Sequence, residues 1–552
     1  MAVRSGTRRF DPVWPAAFAA LVCAAPLIAV AALAVFGPWT DYMAHLARTR
    51  LPAYLGHTVL VTAIAAGLAA MIGAPLAWLV ARYAFPGRGV FEWLLALPLA
   101  MPAYAAAYAW YDLTQAFGPL GGIVPTIRGP VGAGIIFAVT LYPYVYLLAR
   151  EAFAGQSADA YDAARTLGEG PRGAFLRAAL PLARPAIAAG LALVVMESLA
   201  DYGAVVHLGA PTLSVGLIRA WAGEGATADA ARLALILVAV AFLLFALERS
   251  QRRRARQSAA SGKRRPSRRV RLSGPAAGLA VTACAAPVLL GLIIPMARLG
   301  ARALNAPLAR DLMEAAGNSL FLAGVSGAVA AALGLAAAYA LRSRRKRAVF
   351  AARLAGLGYA VPGSVAALGV LALFGVLQGW LDAAWTAAFG AVFPALLTGS
   401  VLALVFAYQS RFAAAAIGPA ESALARVTPS LDMASRTLGA GPGETAWRVH
   451  RPLISAGALL AGLLVFVEVL KELPATMILR PFNYETLAVA AHNYASDERL
   501  GQAAAPALLI ALIALPPMIW IARRITRSEA RIEPRPGAGP VVGLETRTGA
   551  PQ

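Results

Sequence analysis

Asp162-Ala-Ala-Arg-Thr-Leu-Gly168 and Met433-Ala-Ser-Arg-Thr-Leu-Gly439 stand at equivalent places in two long polar segments of this 552-residue chain. Thirteen residues after each glycine comes a proline, Pro181 in the first segment and Pro452 in the second. This order predicts a short helix, a glycine that lets the chain turn, a second amphipathic helix, and a proline where a further helix begins. Arginines such as Arg177 keep this helical elbow out of lipid.

The two elbows belong to a longer internal repeat. Cys23-Ala-Ala-Pro26, well before the first elbow, recurs as Cys284-Ala-Ala-Pro287 before the second. Two further matches keep the same order, namely His57-Thr-Val-Leu with Asn318-Ser-Leu-Phe and Met101-Pro-Ala with Val361-Pro-Gly. The chain is therefore predicted to contain two copies of one unit, with about ten additional residues before the second elbow.

The rest of the chain is strongly apolar, with 59% hydrophobic and 14% charged residues, which indicates a membrane protein. A helix needs roughly 20 apolar residues to cross the hydrocarbon core. Suitable runs occur at 13–37, 55–82, 90–112, 131–150, 184–206, 231–248, 274–299, 317–342, 349–376, 386–409, 453–479 and 503–523. Their continuous Ala, Leu and Gly content excludes the short alternating strands of a barrel. We predict an all-α integral membrane protein with about 12 transmembrane helices, arranged as two parallel six-helix repeats.

The net charge of +22 does not indicate nucleic-acid binding, because its distribution follows the predicted topology. Basic residues collect near the N-terminus, around Arg82, in the segment 249–271, from Arg342 to Arg347, and after Arg523. With twelve spans, all of these segments lie on one side of the membrane. The positive-inside rule then places both termini in the cytoplasm of a bacterial cell, with the chain in its inner membrane.

These observations give a linear map of the chain. Its parts are a cytoplasmic N-terminal tail at 1–12, a first repeat at 13–248, a basic cytoplasmic linker at 249–273, a second repeat at 274–527, and a disordered cytoplasmic tail at 528–552. The Arg, Ser, Gln, Gly and Pro content of the linker predicts no fold there. The two cysteines lie inside predicted spans and imply no disulfide.

The elbow pattern resembles the EAA loop in permease subunits of binding-protein-dependent ABC importers. The matching positions are Asp162, Ala163, Ala164, Gly168 and Pro181 in the first copy, and Met433, Ala434, Gly439 and Pro452 in the second. The resemblance implies a type I importer permease fold and elbows that dock on an ATPase subunit. The chain departs from the family pattern at three places. Asp162 replaces the leading Glu, the second copy has Met433 there with Asp432 displaced by one place, and Arg451 replaces the Leu before the second proline.

The same resemblance implies the partners. The chain has no Gly-x-x-x-x-Gly-Lys-Ser/Thr phosphate loop, so ATP is expected to be used by separate ATPase subunits, as a homodimer at the cytoplasmic face. A periplasmic substrate-binding protein is expected to deliver the substrate. We find no nucleophile-base pair, metal-ligand cluster or cofactor fingerprint, and therefore predict a transport subunit that is not an enzyme and binds no cofactor.

Acidic residues inside two predicted spans are the candidate translocation pathway. Glu197 and Asp201 are four residues apart, as are Glu468 and Glu472, and we expect each pair to share a helix face. Carboxylate oxygens suit a hard cation. A structural alternative is that these acids only pair within the protein, since Lys471 lies beside Glu472 and the second copy would then partly neutralise itself.

The sequence around these acids reduces the number of candidate substrates. Glu197-Ser-Leu-Ala-Asp-Tyr-Gly203 and Leu470-Lys-Glu-Leu-Pro-Ala-Thr476 resemble the fused permeases of ferric-iron importers. Fused permeases for thiamine or another small solute share this architecture and remain an alternative. A second alternative is a twelve-helix secondary transporter driven by an ion gradient, although such a carrier has no ATPase to receive the elbows.

Overall fold

The computed structural model describes residues 13–259, 269–307, 311–343 and 345–530, and these residues are predominantly helical. The helices of the first half are α1 (Val13–Phe36), α2 (Asp41–Thr49), α3 (Leu51–Arg82), α4 (Arg88–Leu94), α5 (Ala103–Thr114), α6 (Gly129–Ala154), α7 (Gln156–Thr166), α8 (Pro171–Ala174), α9 (Leu180–Ala200), α10 (Gly203–His207), α11 (Leu213–Ile218) and α12 (Thr227–Ala259). The proposed tails lie outside the described residues, apart from 528–530 at the end of the last helix.

The second half repeats this series. Its helices are α13 (Gly274–Val288), α14 (Ile294–Leu304), α15 (Leu312–Arg342), α16 (Lys346–Ala355), α17 (Gly363–Phe389), α18 (Val401–Leu424), α19 (Pro429–Thr437), α20 (Pro442–Thr445), α21 (Arg451–Leu470), α22 (Pro474–Leu479), α23 (Leu487–Ser496) and α24 (Leu500–Ala530). Shorter elements are 3-10 turns at Leu97–Ala100 and Gly356–Ala360, π turns at Phe175–Ala179, Arg219–Gly223, Leu289–Ile293 and Ala446–His450, and the strands β1 (Tyr83–Ala84) and β2 (Val270–Arg271).

The repeat is visible in the backbone as well as in the sequence. Helices α8 and α20 begin at equivalent prolines of the two elbows, and each is followed at once by a π turn, Phe175–Ala179 or Ala446–His450. In each π turn, the carbonyl of the first residue accepts a hydrogen bond from the amide five residues later. The Leu180 amide donates to the Phe175 carbonyl, and the Arg451 amide donates to the Ala446 carbonyl. The π turn joins the second elbow helix to the following span without a break. The predicted separate amphipathic helix is thus the start of that span.

Ten helices of the described part are long and apolar enough to cross a membrane, and a bent helix pair supplies an eleventh span. That pair joins Arg88–Ala100 to Ala103–Thr114 at an angle of 89°. The predicted sixth span, 231–248, falls within the 33-residue helix α12, some of whose side chains lie outside the described part. The all-helical prediction with two repeated halves is confirmed.

Several predicted spans are interrupted, and proline explains two of the interruptions. Met101 precedes Pro102 and has φ −84° and ψ 119°, while Val361 precedes Pro362 with φ −87° and ψ 121°. A proline ring crowds the residue before it and moves that residue from helical to extended geometry. The runs 90–112 and 349–376, which we predicted as single helices, therefore each contain a break.

The predicted boundaries of the ninth and tenth spans are wrong. Helix α17 continues to Phe389, and the next helix runs over Val401–Leu424 where 386–409 was predicted. Gly390 ends α17 in the left-handed conformation, with φ 67°, which a glycine adopts without steric cost. The apolar composition of residues 377–389 hid this boundary.

The expectation of no fold in the linker is also wrong in part. Helix α12 continues through the basic residues to Ala259, and Val270–Arg271 pairs in parallel with Tyr83–Ala84. A polar segment that directly follows a formed helix can continue it readily, because the costly nucleation step has already been made. The remaining residues, 260–268, lie outside the described part.

The first helix of each half packs on the opposite half. Helix α1 lies against α16 and α17, and a Cβ at Gly369 would collide with the Pro26 carbonyl oxygen. In the reciprocal contact, a Cβ at Gly291 would collide with the Val139 carbonyl oxygen of α6. Small residues allow such close helix approach in membranes. A single apolar core consequently runs through both halves.

A charged cluster adds a second connection between the halves. Asp112 of α5 is 3% exposed and accepts from Arg298 Nε at 2.6 Å and from Arg302 Nη2 at 2.6 Å, both on α14. Breaking a buried ion pair by removing one partner costs about 3–5 kcal/mol, because the other partner keeps its desolvation penalty.

Asp112→Asn should therefore lower the midpoint of thermal unfolding of the purified chain by several degrees. Glu444→Gln is the matched control, since its i,i+4 pair with Arg448 is largely exposed and such pairs contribute about 0–1 kcal/mol. Thermal unfolding followed by circular dichroism in detergent compares the two variants. Equal midpoints would show that the Asp112 cluster does not hold the halves together.

Candidate functional site

The central cavity lies where interrupted helices from both halves meet. It is lined by Leu99, Met101, Pro102, Ala103, Tyr104, Phe137, Leu141, Glu197, Ala200, Asp201, Gly203, Arg411, Glu468, Lys471, Glu472, Leu473 and Pro474. Its empty space is about 630 Å³, which includes volume open to solvent. Irregular backbone is tolerated at membrane depth where it lines such a cavity, because polar groups can be satisfied there.

All five predicted pathway residues line this one cavity, although not in the predicted geometry. Helix α9 ends at Ala200 and helix α21 ends at Leu470, so Asp201 and Glu472 lie in breaks between helices. The expectation that each acidic pair shares one helix face is therefore wrong. The fifth and eleventh predicted spans, 184–206 and 453–479, contain these breaks.

The two acids in the breaks have a structural task. Asp201 Oδ1 accepts from the Ala204 amide at 2.8 Å, and Glu472 Oε1 accepts from the Ala475 amide at 3.3 Å. Each amide lies in the first turn of the short helix after the break, where no carbonyl is available within the helix. Carboxylates at a helix N-terminus also interact favourably with its dipole. These acids thus stabilise the broken backbone while they line the cavity.

The ion pairs differ from the predicted ones. Lys471 Nζ lies 3.0 Å from Glu468 Oε1, whereas Glu472 is bound by Arg411, with Nη1 at 2.5 Å from Oε2. Lys471 therefore partly neutralises the second copy, as the structural alternative expected, but its partner is Glu468 and not the adjacent Glu472. Arg411 Nη2 also lies 3.3 Å from Glu197 Oε2 in the other half. Sequence reasoning missed Arg411.

The cavity carries a surplus of acidic groups. Four carboxylates and two cationic side chains line it, so at formal ionisation it is negative by two charges. Within the described residues, no group of three or more His, Cys, Asp or Glu side chains is close enough to hold a metal ion. The arrangement suits the passage of a cation better than its tight storage.

The elbows form the second candidate site, and they share one backbone motif. Gly168 has φ 93° and Gly439 has φ 85°. The amides of the following residues, Glu169 and Ala440, donate to carbonyls five residues earlier, at 3.1 Å in both elbows. This Schellman arrangement ends α7 and α19 and satisfies their last carbonyl groups. The predicted glycine turn is present at both places.

Each elbow is fixed to the end of the second long helix of its half. Arg82 Nη2 lies 2.5 Å from Asp162 Oδ1, and Arg342 Nη2 lies 2.5 Å from Asp432 Oδ2. Asp432, one place before Met433, therefore makes the contact that Asp162 makes in the first copy. In the sequence, both arginines belong to the basic segments that indicate topology, and nothing there indicates this second contact.

The second elbow has an additional polar contact. His450 Nε2 lies 2.7 Å from Asp432 Oδ1, and its Nδ1 lies 2.8 Å from the Tyr339 hydroxyl. Partial burial opposes ionisation of Asp432, but the hydrogen bond from His450 and the charge of Arg342 outweigh it and lower the pKa of the carboxyl. In the first elbow, Tyr161 packs against Trp78 instead.

The outer surface of each elbow presents an unpaired apolar side chain. Leu167 is 86% exposed and Leu438, its equivalent, is 87% exposed. Met433, in the same elbow as Leu438, is 60% exposed. Exposed apolar residues at matched positions of two repeats are typical of a surface that another protein covers.

Paired polar elbows, interrupted helices and a cavity between two repeated halves define a class of protein, a multi-pass membrane permease. Comparison with known proteins agrees. Residues 60–257 match the family described as binding-protein-dependent transport system inner membrane component. The Fe(3+)-transport system permease protein FbpB 2 of Haemophilus influenzae is 24% identical over 477 residues, which cover 85% of this chain and 89% of that protein.

Two relatives match over about a third of this chain. A protein named as a probable molybdenum ABC transporter permease, from Haloferax volcanii, is 31% identical over 191 residues, covering 34% of this chain and 70% of that protein. The sulfate transport system permease protein CysT of Escherichia coli is 28% identical over 196 residues, covering 35% and 71%. The chain belongs to the binding-protein-dependent inner membrane component family, and it is an ABC importer permease that resembles ferric-iron permeases.

Proposed function

We propose that this permease moves ferric iron, delivered by a periplasmic binding protein and driven by a separate ATPase. The observation that carries the proposal is the central cavity, where four carboxylates outnumber two cationic side chains. Ferric iron is a hard cation that prefers oxygen ligands. The cavity therefore attracts the proposed substrate electrostatically.

The similarities alone leave the substrate open, since relatives named for iron, sulfate and molybdenum transport all match. Sulfate is an anion, and an acidic cavity would repel it, as it would repel any anionic form of molybdenum. The match to the iron permease covers 85% of this chain, whereas the matches to a sulfate and a molybdenum permease cover 35% and 30%. Both arguments favour ferric iron over the two anions.

The proposed ATPase docks on the two elbows. The coupling residues would be Asp162, Ala163, Ala164, Gly168 and Pro181, with Met433, Ala434, Gly439 and Pro452 in the second copy. The exposed side chains of Leu167 and Leu438 support this role, because an ATPase cleft would cover them. The chain itself would bind no cofactor, and ATP would be used by the two ATPase subunits.

The orientation is likewise a proposal, with both termini and the segment 249–273 in the cytoplasm. Ala260→Cys, in a chain with Cys23 and Cys284 replaced by Ala, should react with an impermeant maleimide in inside-out vesicles only. Ile123→Cys, which is 78% exposed in the loop between α5 and α6, should react in right-side-out vesicles. Labelling of position 260 from outside would reverse the proposed orientation.

Gly168→Val with Gly439→Val should weaken coupling at the elbows. A β-branched residue at positive φ is strained, by about 1–2 kcal/mol or more for each site, whereas an added Cβ would meet no described atom within 4 Å. We expect the ATPase subunit recovered with the purified permease to fall at least threefold, with unchanged membrane insertion.

The matched control is Gly170→Val with Gly441→Val, two residues further on. Neither glycine has a positive φ, and an added Cβ at either site also meets no described atom within 4 Å. The control should retain the ATPase. Equal ATPase recovery and equal transport in both double variants would remove the elbows from the coupling mechanism.

Glu197→Gln with Glu468→Gln should reduce uptake of radioactive ferric citrate by at least tenfold in vesicles that hold the complete transporter. Glutamine keeps the shape and hydrogen-bonding capacity of glutamate and removes its charge. If the acids only pack helices, the variant should assemble and transport normally. Glu421→Gln, an exposed acid of α18 that does not line the cavity, is the control.

A further inference from the structure

Arg411 occupies the place in the cavity where the two halves meet. Its side chain is 9% exposed and contacts Glu472 in its own half at 2.5 Å and Glu197 in the other half at 3.3 Å. A guanidinium group has a planar fork of donors and can bind two carboxylates at once. Arg411 thus neutralises acids from both halves with one side chain.

This arginine has no basic equivalent in the first half. The register that aligns Gly439 with Gly168 places Thr140 at the matching position, and the Thr140 hydroxyl donates to the Ile136 carbonyl of its own helix at 2.8 Å. The four acids, in contrast, match each other pairwise across the repeat. The acids of the cavity therefore occur in both halves, whereas the arginine that neutralises them occurs in the second half only.

The surrounding backbone is adapted to the pair formed by Arg411 and Glu472. A Cβ at Gly363 would collide with Glu472 Oε1 and would lie 3.1 Å from Arg411 Nη1. The repeat places Ala103 at the equivalent position beside the shorter Asp201. Glycine faces the longer acid and alanine faces the shorter one, so the second half makes room for a carboxylate that reaches the guanidinium.

We propose that Arg411 is an internal counter-ion, which a cationic substrate displaces from Glu197 and Glu472 in order to bind. This inference rests on the proposed function, because it assumes that the substrate is a cation. Glu472 is buried and Glu197 is partly buried, and such carboxylates are costly to leave unpaired. Arg411 neutralises them when the cavity is empty, and its return after each transport step favours release of the cation.

Terbium(III) is a suitable probe, since it is a trivalent, oxygen-preferring cation whose luminescence is excited through nearby tyrosines such as Tyr104. Its binding is measured on the full-length chain in nanodiscs of zwitterionic lipid. Arg411→Gln should bind terbium at least tenfold more tightly than the unaltered chain, because the competitor is gone. Arg411→Lys keeps the positive charge and should bind it more weakly than Arg411→Gln.

An unchanged or lower terbium affinity in Arg411→Gln would overturn the proposal and make Arg411 a static tie between the halves. Adding Glu197→Gln and Glu472→Gln to Arg411→Gln should remove the gain. A gain that survives in this triple variant would come from surface sites, and it would also overturn the proposal.

Gly363→Ala tests the same idea with every charge retained. The added methyl group displaces the Glu472 carboxylate from Arg411, so terbium should bind at least threefold more tightly, while uptake by the complete transporter should fall. Gly375→Ala in the same helix is the control, because an added Cβ there meets no described atom within 4 Å. Identical terbium affinities in the two alanine variants would count against the proposal, and this result remains informative if Arg411→Gln fails to fold.

Uptake of ferric citrate by the unaltered transporter separates this inference from the proposed function. If the terbium results are as expected but ferric iron is not taken up, the counter-ion stands and the assignment of iron fails. If ferric iron is taken up but Arg411→Gln loses terbium affinity, the assignment of iron stands and the counter-ion fails.

Discussion

A backbone amide or carbonyl group in hydrocarbon has no water to bind, so it needs a partner within the protein. The structure of the central cavity depends on how the amides at its helix breaks find such partners. Helices α9 and α21 end near the middle of the protein, and each is followed by a short helix whose first amides need acceptors. Asp201 and Glu472 supply them. An acid that caps a broken helix in a membrane then requires compensation of its own charge, and for Glu472 this comes from Arg411.

The sequence predicts the overall architecture well because lipid imposes simple rules on it. Continuous apolar runs become helices, and the internal repeat predicts two equivalent halves. The breaks were harder to predict, since residues such as Ala200 and Ala204 around Asp201 are as apolar as a continuous span. Pro102 and Pro362 did carry a signal, because a residue before proline disfavours helical geometry. The predicted spans 90–112 and 349–376 nevertheless continue through these prolines, which mark full interruptions.

Only part of the candidate site could be predicted from the sequence. Its acids are conspicuous in an apolar context, but Arg411 lies two residues beyond the predicted tenth span, 386–409, so it was taken for part of a cytoplasmic segment. The error in the helix boundary therefore concealed the counter-ion. Arg82 and Arg342 illustrate a related difficulty: each obeys the positive-inside rule and also binds an elbow carboxylate, and a charge count cannot reveal the second role.

The charge of the cavity depends on the differences between the two halves. A symmetrical pair of second halves would place two copies each of Glu468, Lys471, Glu472 and Arg411 around the cavity, and these formal charges cancel. A symmetrical pair of first halves would provide Glu197 and Asp201 twice without a basic partner from equivalent positions, which leaves four carboxylates in the cavity without a counter-ion. The fused chain combines one half of each kind, so the cavity keeps a surplus of two negative charges together with two cationic side chains. Joining the copies in one chain allows this combination, because a substitution in one half is not repeated in the other.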